Sequence, residues 1–163
     1  MADFSFDIES QFDRQELVNA VDQVKRELSF RYDFKTSPYE IELEKDVLVV
    51  TAEDDYKLKA IHEIMQAKLV ARKLDLRVLD FNSPKEPAAL GHVRQKIKVI
   101  SVLSSEKAKE ISKLVTQNFK KAKSSIQGET VRVSSASKDI LQDIMQYLKE
   151  HDVGVPLQYT NFR

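Results

Sequence analysis

Two hydrophobic periods alternate along the chain. Phe4, Phe6 and Ile8 alternate with Ser5, Asp7 and Glu9, the period of two expected of a half-buried strand. From Asp13 the spacing lengthens. Leu17, Val18, Val21, Val24 and Leu28 recur every three or four residues, predicting a helix of about four turns with Asp13 as N-cap and Glu16 at the capping-box position. RYDFKTSP (31–38) returns to alternation and predicts extended chain, interrupted at Ser37-Pro38. Tyr39, Ile41 and Leu43 alternate with Glu40, Glu42 and Glu44, and a turn at Lys45-Asp46 leads into a strand over 47–53. A helix from Asp55 to about Arg72 carries Leu58, Ile61, Ile64, Met65 and Leu69 on one side, and Leu76, Val78, Leu79 and Phe81 predict a closing strand.

Asn82–Gly91 (NSPKEPAALG), with two prolines and a glycine, has the composition of a linker. The order then repeats. VRQKIKVIS is a strand with Val93, Ile97 and Val99 toward the core, and Ser104 or Ser105 caps a helix running to about Phe119. KAKSSIQGETVRVS (121–134) folds into a hairpin about Gly128, Ser137 caps a helix over KDILQDIMQYLKEH, and PLQYTNF closes as a strand. Glu63-Ile64-Met65-Gln66 answers Asp143-Ile144-Met145-Gln146, which suggests a duplicated unit. The pattern β-α-β-β-α-β, read twice, predicts an α+β protein of two tandem ferredoxin-like domains, each an antiparallel sheet with its helices on one face. The expected boundaries are 1–81 for an acidic domain, 82–91 for the linker and 92–163 for a basic domain.

Charge sharpens that division. The chain of 163 residues is neutral overall, yet residues 1–90 hold 13 Lys+Arg against 19 Asp+Glu, and residues 91–163 hold 13 against 7. Such asymmetry fits either an interaction surface or two halves that attract each other. The chain has no cysteine, no apolar run long enough to span a membrane, and an acidic, alternating start unlike a signal peptide. A cytoplasmic location is the expectation.

Candidate chemistry lies on the open sheet faces. In the second domain Arg94, Lys96, Lys98, Lys123 and Arg132 are all expected to point away from the helices, giving five cations on one face with Ser125, Gln127 and Thr130 among them. Arginine forks and lysine point charges suit a phosphate-bearing ligand, although a solvated face has the same letters. Arg31 and Lys35 flank Tyr32 and Phe34 and are within reach of a phosphate, while the two aromatics, like Tyr159 and Phe162, are expected to pack in the core. The third strands lack the aromatics with which single-strand RNA readers of this topology stack bases. His62, His92 and His151 lack metal-ligand spacing, and no phosphate-cradling glycine loop, dinucleotide or other cofactor fingerprint, or nucleophile elbow is present. Binding rather than catalysis is the expected function.

RYDFK at 31–35, IQGETVRV at 126–133 and PLQYTNFR at 156–163 resemble the signature stretches of the bacterial YajQ family, in the same order and over nearly the whole chain. Thr36 stands where that family commonly has glycine, and VSSASK follows the hairpin in place of a VTGK-like segment. The resemblance implies two RNP-like domains and a non-enzymatic nucleotide-binding protein. It implies cyclic di-GMP, or GTP or ATP, as ligand and a transcription factor as possible partner. The alternative is a protein that binds RNA or other nucleic acid non-specifically through the basic sheet face of the second domain.

Overall fold

A computed structural model of the chain describes residues 3–100 and 103–163. Thirteen regular elements follow one another among them: β1 (Phe4–Glu9), α1 (Arg14–Phe30), β2 (Tyr39–Leu43), β3 (Val47–Ala52), α2 (Asp55–Ala71), β4 (Leu79–Asp80), β5 (Lys85–Pro87), β6 (Val93–Val99), α3 (Ser105–Asn118), β7 (Lys123–Gln127), β8 (Thr130–Ser135), α4 (Lys138–Glu150) and β9 (Gln158–Thr160). The strands form two antiparallel sheets, and the architecture is that of two ferredoxin-like domains, as the alternation predicts. No helix among the described residues is long and apolar enough to cross a membrane.

The helices start where the sequence supplies caps. Asp13 accepts the backbone N–H of Gln15, Asp54 that of Lys57, and Ser104 that of Lys107. Leu17, Val21, Ile61, Met65, Ile111, Ile144 and Leu148 are buried from the helix faces expected, and Leu114 is half-buried at the rim of its core.

Which strand joins which sheet differs from the expectation. The chain divides into a middle unit, Phe12–Ile100, and a terminal unit, Met1–Gln11 with Ser101–Arg163. In the middle unit the sheet order is β2-β3-β6-β4, with β5 also paired to β6, and in the terminal unit it is β7-β8-β1-β9. The strand preceding each helix pair has therefore been exchanged: β1 lies beside β8, and β6 lies beside β3. The boundaries at 81 and 92 are corrected accordingly. Residues 82–91 are no linker between domains; they belong to the middle unit and contribute β5 as a fifth strand to its sheet.

The registers give the physical reason. Phe6 and Ile8 meet Val133 and Val131, and Ile97 meets Leu48, so either strand buries its apolar side in its new place. Their outward sides carry opposite charge, and the exchange brings acidic β1 to the Lys/Arg-rich half and basic β6 to the acidic half. The imbalance between halves disappears: residues 12–100 hold 16 Lys+Arg and 16 Asp+Glu, and the remaining 74 hold 10 of each.

Two stretches expected to be extended instead make 3-10 turns. Over Tyr32–Phe34 the N–H of Arg31 still bonds back to the Glu27 and Leu28 carbonyls while Phe34 donates to Arg31 O, so α1 tightens rather than opening into a strand. Leu76–Val78 turns in the same way under the cap of Asp75, leaving only Leu79–Asp80 as strand.

Candidate functional site

The middle unit carries a banded open face. Along β6, Gln95, Ile97 and Val99 are buried toward the helices, and Arg94, Lys96 and Lys98 project to the other side. On β3, Thr51, Val49 and Val47 stand opposite them in register, and beyond these on β2 lie Glu40 and Glu42. The face thus runs from an acidic edge over a half-buried, largely apolar row to a basic strand. On the far side of β6, Glu86 of β5 stands opposite Arg94, and its Oε1 lies 3.9 Å from Arg94 Nη1 and 3.8 Å from Lys96 Nζ. These separations are too long for hydrogen bonds. Lys98 has no ion-pair partner among the described residues, and both Lys96 and Lys98 are exposed.

Behind this face a buried amide holds β6 in place. Gln95 Nε2 donates to the carbonyls of Phe81 (2.9 Å) and Ser83 (2.7 Å), and its Oε1 lies 2.6 Å from His62 Nε2 on α2. With both amide hydrogens engaged by carbonyls, the remaining oxygen accepts, which places the His62 proton on Nε2. Ser83 Oγ accepts the backbone N–H of Lys98 (3.1 Å). Burial lowers the pKa of His62, Lys85 adds to that, and the bond to Gln95 opposes it. The sequence gives one sign of this network, a glutamine in the inward phase of an alternating strand.

The terminal unit uses its charges differently. Arg132 on β8 faces Asp7 on β1, donating from Nε to Oδ1 (2.9 Å) and from Nη2 to Oδ2 (3.4 Å). Asn161 Nδ2 donates to the same Oδ2 at 2.8 Å, and Ser5 and Arg163 exchange backbone hydrogen bonds. Asp7 is 4% exposed. Its carboxyl is held below the usual range, first by the Arg132 hydrogen bond, with Asn161 and the charges of Arg132 and Arg163 assisting and burial opposing. IQGETVRV and PLQYTNFR, far apart in sequence, thus converge on one carboxylate of β1. Lys123, on edge strand β7 opposite Ser134, is exposed and has no ion-pair partner among the described residues.

The five cations expected on one face are therefore divided between two sheets, Arg94, Lys96 and Lys98 on the middle unit and Lys123 and Arg132 on the terminal unit. The cause is the exchange of β1 and β6. Arg31 is engaged by Asp33 through a two-point fork at 2.9 and 3.0 Å, with Glu27 at 3.8 Å. Lys35 is exposed and without an ion-pair partner among the described residues. Phe34 is buried against Tyr39 with Lys57 Nζ 5.0 Å from its ring centre, and Tyr159 is half-buried against Phe6. Tyr32 and Phe162 are exposed, contrary to the core role expected of them. No cluster of potential metal ligands is present among the described residues.

The chain matches the family described as "Nucleotide-binding protein YajQ-like" over residues 4–163. A nucleotide-binding protein of Trichodesmium erythraeum is 48% identical over 159 residues, covering 98% of this chain and 97% of that one. One from Thermosynechococcus vestitus is 49% identical over 160 residues, covering 98% of each. One from Koribacter versatilis is 47% identical over 163 residues, covering 100% of this chain and 99% of its own. With the fold and nearly every residue of the chain accounted for, this protein belongs to the YajQ-like family of nucleotide-binding proteins.

Proposed function

We propose that this chain is a non-enzymatic, cytoplasmic effector that binds a nucleotide on the open face of the middle unit and transmits the bound state to a protein partner, a transcription factor being the first candidate. The observation that carries the reading is the pair Lys96 and Lys98. They project at alternate positions of one strand, about 7 Å apart, one loosely paired and the other unpaired, beside the apolar row Val47 and Val49. Ammonium groups at that spacing take phosphate oxygens as point charges, and the valine row offers a dry surface to a base. The relatives are named nucleotide-binding proteins, which supports the ligand class. Cyclic di-GMP is the first ligand proposed, with GTP and ATP next. Arg94 lies at the end of the same row, Lys35 is a further exposed cation of the middle unit, and Lys123 is an exposed cation on the sheet of the terminal unit. Arg31 and Arg132 are already occupied by Asp33 and Asp7 and act first as structural groups.

A second reading, RNA binding, has its own observation. Tyr32 is 88% exposed beside Lys35, and an exposed ring next to a cation is the pairing on which single strands stack. Calorimetric titration with cyclic di-GMP, GTP and a short RNA at two salt concentrations separates the two. The expected result is nucleotide binding that weakens about tenfold or more in the Lys96→Ala/Lys98→Ala double variant, since one hydrogen bond to a charged group contributes about 1.5–3 kcal/mol. Unchanged affinity in that variant would remove this face as the site. Tight RNA binding with a steep salt dependence, lost in Tyr32→Ala, would favour the second reading.

A further inference from the structure

Resting on that reading of the β6 face, we infer that Glu86 is a built-in competitor for the ligand's phosphate, a residue that sets which anions gain access to Arg94 and Lys96. One oxygen of Glu86 lies 3.9 Å from Arg94 Nη1 and 3.8 Å from Lys96 Nζ. It lies against two of the three cations on the strand, whereas Lys98, which stands opposite Asp80 of β4, forms no ion pair among the described residues.

The backbone fixes this position. β5 pairs with β6 through Lys85–Gln95, Glu86–Arg94 and Pro87–Val93. The loop before it is held by the Gln95 amide on the Phe81 and Ser83 carbonyls. The turn after it is closed by Ala88 N–H on His92 O at 2.8 Å, with Leu90 and Gly91 at positive φ. The carboxylate is thus delivered to the cations by main-chain pairing rather than by its own attraction to them.

The contact itself is weak by construction. Both ion pairs exceed hydrogen-bond length, and the side chains are 39–62% exposed, a setting in which ion pairs contribute little. A phosphate making charge-assisted bonds at about 2.7–2.9 Å displaces such a carboxylate. The first contact falls to Lys98, and a ligand with a second negative charge then replaces Glu86 at Lys96 and Arg94. The face therefore selects for anions carrying at least two charges, such as a cyclic dinucleotide or a nucleoside polyphosphate, over singly charged ones.

Glu86→Gln keeps the strand pairing and the side-chain size while removing the competing charge. Titration of wild type and this variant with cyclic di-GMP and with GTP should show about three- to fivefold tighter binding in the variant. Glu42→Gln is the control: it lies on the same face two strands from Lys96, roughly 10 Å away, where solvent and salt screen its charge, and it should change affinity less than twofold. If Glu86→Gln leaves affinity unchanged while Lys96→Ala/Lys98→Ala weakens it, the face is the site and Glu86 is no competitor. If neither variant changes affinity, or no binding occurs in any form, the site and the inference fall together. Equal tightening by Glu42→Gln would show a general effect of net charge and overturn the role given to Glu86.

Discussion

Each unit places an acidic residue opposite an arginine on the neighbouring strand, and the two pairs do different things. In the terminal unit Asp7 is buried, gripped at two points by Arg132 and at a third by Asn161. In the middle unit Glu86 touches Arg94 at 3.9 Å, shares the same oxygen with Lys96, and is half open to solvent. The chemistry is the same, and what encloses it differs. β1 is an interior strand, with β8 on one side and β9 and the Arg163 backbone on the other, so Asp7 is covered from both. β5 lies at the sheet margin, with no strand beyond it among the described residues. Closure converts a charge pair into a structural joint, and its absence leaves the cations open to solvent.

The largest expected effect breaks the joint. Asp7→Ala removes the acceptor of three side-chain hydrogen bonds from an enclosed place and should lower stability by about 2–4 kcal/mol in urea denaturation. Glu86→Ala should stay within about 0.5 kcal/mol of wild type. Equal losses would abolish the distinction between the two pairs.

A pH titration sharpens it. The folded-state pKa of Asp7 lies below its unfolded value, so the carboxylate's contribution is complete above the unfolded value of about 3.9 and is lost as pH falls through the folded value. The stability gap between wild type and Asp7→Asn should be flat above about pH 5 and close progressively below about pH 4. A gap independent of pH down to acid unfolding would mean that the charge of Asp7 is not what the joint uses. Next in size is Arg132→Lys, which keeps the positive charge and loses the fork. It should fall between wild type and Arg132→Ala in stability and leave nucleotide affinity unchanged, read by denaturation and calorimetry on the same samples.

Much of this architecture is legible in the sequence, and the failures have physical causes. Helix faces follow from spacing alone, and Ile61, Ile111 and Ile144 are buried as the period of 3.6 requires. The partner of a strand does not follow from its own alternation, because FSFDIE and VRQKIKV each present one apolar side that either sheet can bury. The opposite charges of their outward sides were the readable clue, and the balance of 16 against 16 and 10 against 10 is its consequence. RYDFK alternates like a strand, yet the Arg31–Asp33 fork and the carry-over of α1 hydrogen bonds close it into a turn. The outward phase of Arg94, Lys96 and Lys98 was legible. Their neighbours Val47, Val49 and Glu86 were not, since those depend on the exchange and on a strand hidden in a stretch that reads as linker.

The smallest expected effect tests the comparison most finely, because it sets two similar lysines against each other. Lys98 and Lys123 are both exposed, both on strands, and both without an ion-pair partner among the described residues. They differ in company. Lys98 has Lys96 two residues away on the same face, Val47 opposite on β3 and Asp80 opposite on β4, with which it makes no ion pair. Lys123 sits on a sheet edge opposite Ser134, and the nearest cation projecting from β8, Arg132, is engaged by Asp7. A phosphate at Lys98 gains a second ammonium group, whereas one at Lys123 meets a single solvated charge. Lys98→Ala should therefore weaken nucleotide binding about fivefold at matched salt, and Lys123→Ala less than about twofold, with neither altering the denaturation midpoint. If Lys123→Ala costs as much affinity as Lys98→Ala, the terminal unit shares the ligand, and the division between a structural and a receptive charge pair no longer maps onto the two units.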